Sequence, residues 1–243
     1  MKKILRNILK KCGFEVRRYE LSDEVLIKNY LNLINADLMI DVGANTGQSR
    51  DFMRNMGYKG RIISFEPLAS AHQCLMERSK VDHLWEIAPR MALGDSVGTC
   101  TLNVSRNLVS SSVLNILPLH MKTAPESSYI ATEKVPCATL DSVWDQFIGS
   151  QFNSIFLKID VQGYEDRVIN GTVDNIHYMK GLRVELSVLP LYEEQFVLKD
   201  MLQFIDALGF ELFALLPGFE DNSTGRILQL DGLFFRNQYG RDR

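Results

Sequence analysis

The 243 residues contain four cysteines, Cys12, Cys74, Cys100 and Cys137, and no two of them form a C-x-x-C pair. They lie far apart in the chain, and the expectation is reduced core or surface thiols in a cytoplasmic protein. The four histidines are scattered without H-E-x-x-H or comparable spacing, so no metal site is expected. No uninterrupted apolar run approaches the roughly 20 residues of a membrane span, and the N-terminus lacks a secretory apolar core. There is no internal repeat and no low-complexity tract. A basic excess is also missing: the net charge is −3, and residues 1–20 alone hold seven Lys or Arg against Glu15 and Glu20. The remainder is therefore acidic, and nucleic acid is not an expected partner.

What is there is ordinary globular composition, 46% hydrophobic and 23% charged. A chain of this length is most simply one domain, able to bury roughly 70–75% of its unfolded surface without a staple. The stretch that organises it is Asp37 to Ser49, DLMIDVGANTGQS. Leu38 to Asp41 is an apolar run ending in a carboxylate, Gly43 and Gly47 bracket a turn, and a helical pattern follows. Such runs suit a parallel strand buried on both faces, and ligands of open α/β sheets sit at the carboxyl ends of the strands. Gly43 permits a sharp turn, and Gly47 permits close approach of a ligand or of the next helix.

The spacing is not the G-x-G-x-x-G that holds a pyrophosphate on helix amides. A carboxylate two residues before the first glycine repels phosphate and attracts an ammonium group. The ligand expected is cationic or hydroxyl-rich, and S-adenosylmethionine (SAM) has an amino acid moiety, a sulfonium and a ribose. A nucleotide-binding oxidoreductase is disfavoured on the same grounds. The next strand, RIISFEP, ends in Glu66 and Pro67. Glu66 lies near the interval at which an acidic residue accepts hydrogen bonds from ribose hydroxyls.

Along the rest of the chain, MKKILRNILKK reads as a short basic amphipathic helix, which either docks on the domain or meets anionic lipid as a peripheral contact. Ser22 can cap a second helix to about Ala36, and these two helices could cover one side of a cleft. Residues 1–36 form a helical extension in this reading, and 37–243 the main domain. Helices are expected over about 46–56 and 69–80, with Gly57 ending the first. A third strand is expected around Trp85 to Leu93, leading into Gly94-Asp95. Short strands at Thr99–Val104 and Lys134–Ala138 flank a polar stretch, and 105–133, with SSSV at 110–113, reads as an acceptor-binding cap loop. A helix then covers TLDSVWDQF, and the strand SIFLKID carries Lys158 and Asp160 on one face, with Glu165 just after it. The strand GLRVELSVL brings Glu185, a plausible partner for Lys158. A helix over about 195–208 and strands GFELFALL and ILQLDGLFF close the chain.

DVGANTGQS at 41–49, FEP at 65–67, ALGD at 92–95, SSSV, TLD at 139–141 and KIDVQGYE at 158–165 together resemble the FkbM family of SAM-dependent methyltransferases. The resemblance implies a Rossmann-like, mostly parallel sheet of seven strands in the order 3-2-1-4-5-7-6, the last antiparallel, with helices on both faces. It implies O-methylation of a sugar, glycolipid or polyketide-type hydroxyl with SAM as cofactor. By the same resemblance Asp41, Gly43, Asn45 and Gly47 line the methionine moiety, Glu66 binds the ribose and Leu93 lies near adenine; Pro67 beside Glu66 and Asp95 in the turn after Leu93 are further candidate donor contacts. Ser111, Ser112 and Tyr192 are the candidate acceptor contacts. Asp160 is the first choice for base or acceptor-orienting group, with Glu165 and Glu185 as alternatives and Lys158 tuning a neighbour. The same cluster could instead be a structural ion pair, and a noncatalytic SAM-binding accessory of a glycan biosynthesis complex is the alternative function.

Overall fold

The structure is a computed structural model and describes residues 9–13 and 23–236. Residues 9–11 are helical; the rest of the basic amphipathic helix and the Ser22 cap lie outside the described residues. In chain order the elements are α1 (Asp23–Leu33), β1 (Leu38–Val42), α2 (Gln48–Asn55), β2 (Arg61–Phe65), α3 (Ala69–Ser79), β3 (Trp85–Ile87) and β4 (Ala92–Leu93). They continue with β5 (Gly98–Ser105), α4 (Pro118–Thr123), β6 (Tyr129–Ala138), α5 (Trp144–Phe147), β7 (Ile155–Ile159) and α6 (Glu165–Asn170). The chain ends with β8 (Met179–Ser187), α7 (Leu198–Ala207), β9 (Phe210–Pro217), β10 (Glu220–Asp221), β11 (Arg226–Ile227) and β12 (Gln229–Arg236).

Seven strands form the main sheet in the order β3-β2-β1-β7-β8-β12-β9, with β12 antiparallel to both its neighbours. Counting main-sheet strands along the chain gives 3-2-1-4-5-7-6, as expected. Every residue of β1 and of β7 is buried, as a central parallel strand covered on both faces requires. Alternation then splits the core into two layers. Leu38, Ile40, Val42, Ile155, Leu157 and Ile159 join the layer under α7. Met39 and Phe156 face the other way, against Ile27 and Leu31 of α1.

Parity carries this second face to the charged residues. Asp41 follows Met39 by two, Lys158 follows Phe156 by two, and Arg183 and Glu185 alternate with the core residues Leu182, Val184 and Leu186. The charged groups therefore gather on one face, toward the carboxyl ends of β1, β7 and β8, and Lys158 is in register with Asp41 on one side and Arg183 on the other.

Three boundaries differ from the sequence reading. The strand expected over 85–93 is two elements, because β4 leaves the main sheet to pair with β6 in a separate three-stranded sheet β4-β6-β5. The stretch 105–133 is not all loop: β6 begins at Tyr129, and the connection carries α4 and a 3-10 turn over Pro125–Ser127. Finally, α1 packs its apolar stripe on the sheet and contributes nothing to the cleft wall.

Candidate active site

At the carboxyl edge of the main sheet lies a cleft of about 420 Å³, within the range of cofactor and ligand sites. Val42, Gly43, Ala44 and Asn45 form its floor, and Glu66, Pro67 and Leu93 rise from the ends of β2 and β4. Gly43 has φ +75°, and a Cβ there would stand 1.8 Å from the Asp160 carbonyl oxygen. Only glycine lets β1 turn away while β7 ends beside it. Gly47 also has positive φ, but a Cβ there would meet the Trp85 ring at 2.8 Å. The close approach it allows is by that ring, and Gly47 is not on the cleft wall.

Glu66 is held by two backbone amides. Asn45 N donates to Oε2 at 2.7 Å and Leu68 N donates to Oε1 at 2.8 Å. Burial pushes its carboxyl up to about 7, against the lowering effect of those two hydrogen bonds. The same carboxylate thereby fixes the glycine turn and lines the cleft.

Asp41 is not where a ligand would touch it. It is fully buried, absent from the cleft wall, and its Oδ1 lies 3.0 Å from Lys158 Nζ. The ammonium also donates to Gly43 O at 2.9 Å and stands 3.5 Å from Asp160 Oδ2. Burial alone lowers a lysine pKa, yet Asp41 and Asp160 outweigh it and hold this one raised. The expected pairing of Lys158 with Glu185 does not form, because Arg183 is the residue in register with Lys158 and Asp41 stands on its other side. Asp41 acts on the cleft through Lys158.

Glu185, Asp160, Gln162 and Gln229 make the far wall. Gln162 has φ +59° and its Nε2 donates to Asp160 Oδ1 and to Glu185 Oε2, both at 2.9 Å. Gln229 Nε2 adds a second bond to Glu185 Oε2 at 2.7 Å. Glu185 Oε1 makes no hydrogen bond among the described residues. Burial, then the neighbouring charges of Asp160, Glu165 and Asp231, raise the Glu185 pKa well above the usual carboxylate value.

The other candidates divide. Ser111 lines the cleft, whereas Ser112 is buried and donates to Gln162 O at 2.7 Å. Tyr192 is fully buried and its hydroxyl donates to Gln162 Oε1 at 2.8 Å, so it braces the glutamine instead of facing the cleft. Glu165 is also a brace: Val161 N and Gly163 N donate to its Oε1 at 3.0 and 3.1 Å, and burial raises it to about 7. Asp95 is exposed, off the wall, and bonded to Arg167 at 3.2 Å.

Gln162, Gln229, His120 and Phe219 were not singled out from the sequence. Gln162 sat within KIDVQGYE, where its place in a tight turn was the available signal. His120 comes from the cap and Phe219 from the excursion between β9 and β12, which carry no local pattern, and Gln229 is the first residue of β12. Among the described residues no group of three or more His, Cys, Asp or Glu is arranged to hold a metal ion, and no helix is long and apolar enough to cross a membrane.

The charge balance of the wall defines a class of ligand. Three carboxyl groups, Glu66, Asp160 and Glu185, face one ammonium, Lys158, and no arginine. Such a wall suits a cationic, hydroxyl-bearing ligand and opposes a pyrophosphate. Residues 41–212 match the methyltransferase FkbM domain. The chain belongs to the FkbM methyltransferase family, and SAM is its methyl donor. No curated protein matches by sequence.

Solved structures resemble it at the level of the fold. TehB from Haemophilus influenzae superposes with a TM-score of 0.48 at 9% identity, covering 96% of this chain and 67% of that one. Magnesium protoporphyrin IX methyltransferase (ChlM) from Synechocystis PCC 6803, with bound SAM, gives 0.46 at 7% identity, with 97% of each chain covered. Precorrin-6y C5,15-methyltransferase from Geobacter metallireducens GS-15 gives 0.44 at 12% identity, covering 91% and 93%.

Proposed function

We propose that this methyltransferase transfers its methyl group to a hydroxyl of a sugar, glycolipid or polyketide-type acceptor. The observation that carries this reading is the cluster of planar polar groups on the far wall, two carboxyls and two primary amides, linked through Gln162. Planar carboxyl and amide groups set close together match the several donors and acceptors of a polyol.

Gly43, Ala44 and Asn45 would hold the amino acid end of the donor, Glu66 the ribose and Leu93 the adenine. When bound, the donor supplies an electrophilic methyl group on a sulfonium that keeps the bonding electron pair and leaves as a neutral thioether. The chain must hold an acceptor oxygen in line with that methyl and remove one proton as the new C–O bond forms. Glu185 takes the proton in this reading: burial and the neighbouring carboxylates raise its proton affinity above that of an ordinary carboxylate, and its Oε1 is uncommitted. Asp160 is committed to Lys158 and Gln162 and orients the acceptor. Lys158, paired with Asp41, is a fixed charge beside the wall carboxylate of Asp160.

The acceptor is a small molecule or glycan in this reading, and the basic segment at 1–20 brings the protein to a lipid surface where a glycolipid would be found. The test is tritium transfer from labelled SAM into fractionated polysaccharides and lipids of the source cell. Label in a hydroxyl-bearing fraction supports the reading. Label confined to protein or nucleic acid rejects it.

A further inference from the structure

His120 stands on α4 in the cap, 3% exposed, with its ring among the cleft-lining groups. It packs edge-on to the Tyr192 ring at 5.2 Å and tilted against Phe219 at 5.3 Å. Its side chain makes no hydrogen bond among the described residues, and Nδ1 is sealed from solvent. A buried polar nitrogen without a partner is a cost that a structural aromatic at the same place would avoid. Phenylalanine would fill the same space against the same rings. A histidine there has a use only if something binds it.

The two nitrogens are not equivalent. A neutral imidazole carries one N–H, and a lone pair is the cheaper group to leave unmet in a sealed pocket, since an unpaired buried N–H is the rarer case. That puts the lone pair on Nδ1 and the proton on Nε2, on the ring that borders the cleft. Burial supports the neutral form by lowering the imidazole pKa to about 4.

We propose that His120 is a specificity residue of the acceptor subsite: its Nε2–H donates a hydrogen bond to an acceptor oxygen neighbouring the hydroxyl that is methylated. The subsite is the end of the cleft where His120 packs on Phe219, whose carbonyl oxygen accepts from Gln229 N at 2.9 Å, while Gln229 Nε2 donates to Glu185. The inference rests on the hydroxyl-acceptor reading above and adds a requirement to it. The acceptor must carry a second oxygen beside the reacting one, so vicinal diols and sugars qualify and isolated alcohols do not.

The test compares His120→Phe, His120→Gln and His120→Asn in the full chain, using the hydroxyl-bearing fraction that the wild-type protein labels from tritiated SAM. Glutamine reaches the position of Nε2 with an amide N–H, asparagine reaches only that of Nδ1, and phenylalanine reaches neither. Three readouts are taken: kcat/KM for that fraction, affinity for S-adenosylhomocysteine by calorimetry, and Tm. For His120→Phe the expected result is a loss of roughly 10- to 100-fold in kcat/KM. Its S-adenosylhomocysteine affinity stays within about twofold, and its Tm equals or exceeds that of the wild type by a few degrees. Glutamine restores most of the activity and asparagine does not.

Full activity in His120→Phe overturns the proposal. So does equal recovery by asparagine and glutamine, or a Tm drop of several degrees in His120→Phe, which would mark a packing residue. Failure of the underlying reading looks different: the wild-type protein binds S-adenosylhomocysteine yet labels no hydroxyl-bearing fraction, and both proposals fall together.

Discussion

Lys158 Nζ lies 3.0 Å from Asp41 Oδ1, with 6% and 0% of the two side chains exposed. The pair closes the gap between two central strands directly beneath the glycine turn. Removing one partner strands a buried charge, so Asp41→Asn is expected to lower stability by about 3–5 kcal/mol, read from the urea midpoint. The double variant Asp41→Leu with Lys158→Met is expected to regain most of that loss, because a packed apolar pair leaves no charge unmet. A double variant less stable than either single one would remove the ion pair from this account.

Glu66, placed at the ribose in the proposed reading, should make donor affinity pH-dependent. Its carboxyl is raised to about 7 by burial, and the ionised form is the one that would accept the ribose hydroxyls. Affinity for S-adenosylhomocysteine should therefore weaken as pH falls through about 7, approaching tenfold per unit below it. Calorimetry from pH 5.5 to 8.5 reads this, and Glu66→Gln should flatten the curve at the weak end.

Linkage runs in the opposite sense for the ligand-free protein. Glu66 and Glu165 both sit near 7 in the fold against an ordinary 4.5. The folded chain holds these protons longer, so their contribution to stability is fullest below about 4.5 and declines as pH rises to about 7.

Gln162 holds both far-wall carboxylates with one amide nitrogen. Gln162→Ala should leave S-adenosylhomocysteine binding intact and lower kcat roughly tenfold, as the carboxylates lose their relative placement. The lost donor also stabilised the charged form of Glu185, so the acidic limb of the kcat/KM profile should move to higher pH. An unchanged profile would leave Gln162 as a turn residue alone.

Of the residues expected at the donor, Gly43, Asn45, Glu66, Pro67 and Leu93 line the cleft, whereas Asp41, Gly47 and Asp95 do not. Gly43, Asn45 and Glu66 belong to contiguous strand–turn segments, where position in the chain and position in space nearly coincide. The strand order was legible because the family resemblance spans the whole sheet. Lys158 was paired wrongly because its partner depends on which strand lies on each side and at what register, and adjacency in sequence does not carry that. Tyr192 and Ser112 are polar residues turned inward to brace Gln162, an orientation that composition does not show. His120 and Phe219 meet across the cap and the excursion after β9, about a hundred residues apart in sequence, with no periodic pattern to announce either.

The most direct test of the account is methyl transfer from SAM carrying a carbon-13 methyl group, followed by nuclear magnetic resonance of the product, with wild-type protein and Glu185→Gln side by side. The account predicts a methoxy carbon in the wild-type product. Glu185→Gln should lower turnover by about 100-fold or more while S-adenosylhomocysteine affinity is unchanged. A labelled methyl on nitrogen or carbon, or equal turnover by Glu185→Gln, would contradict it.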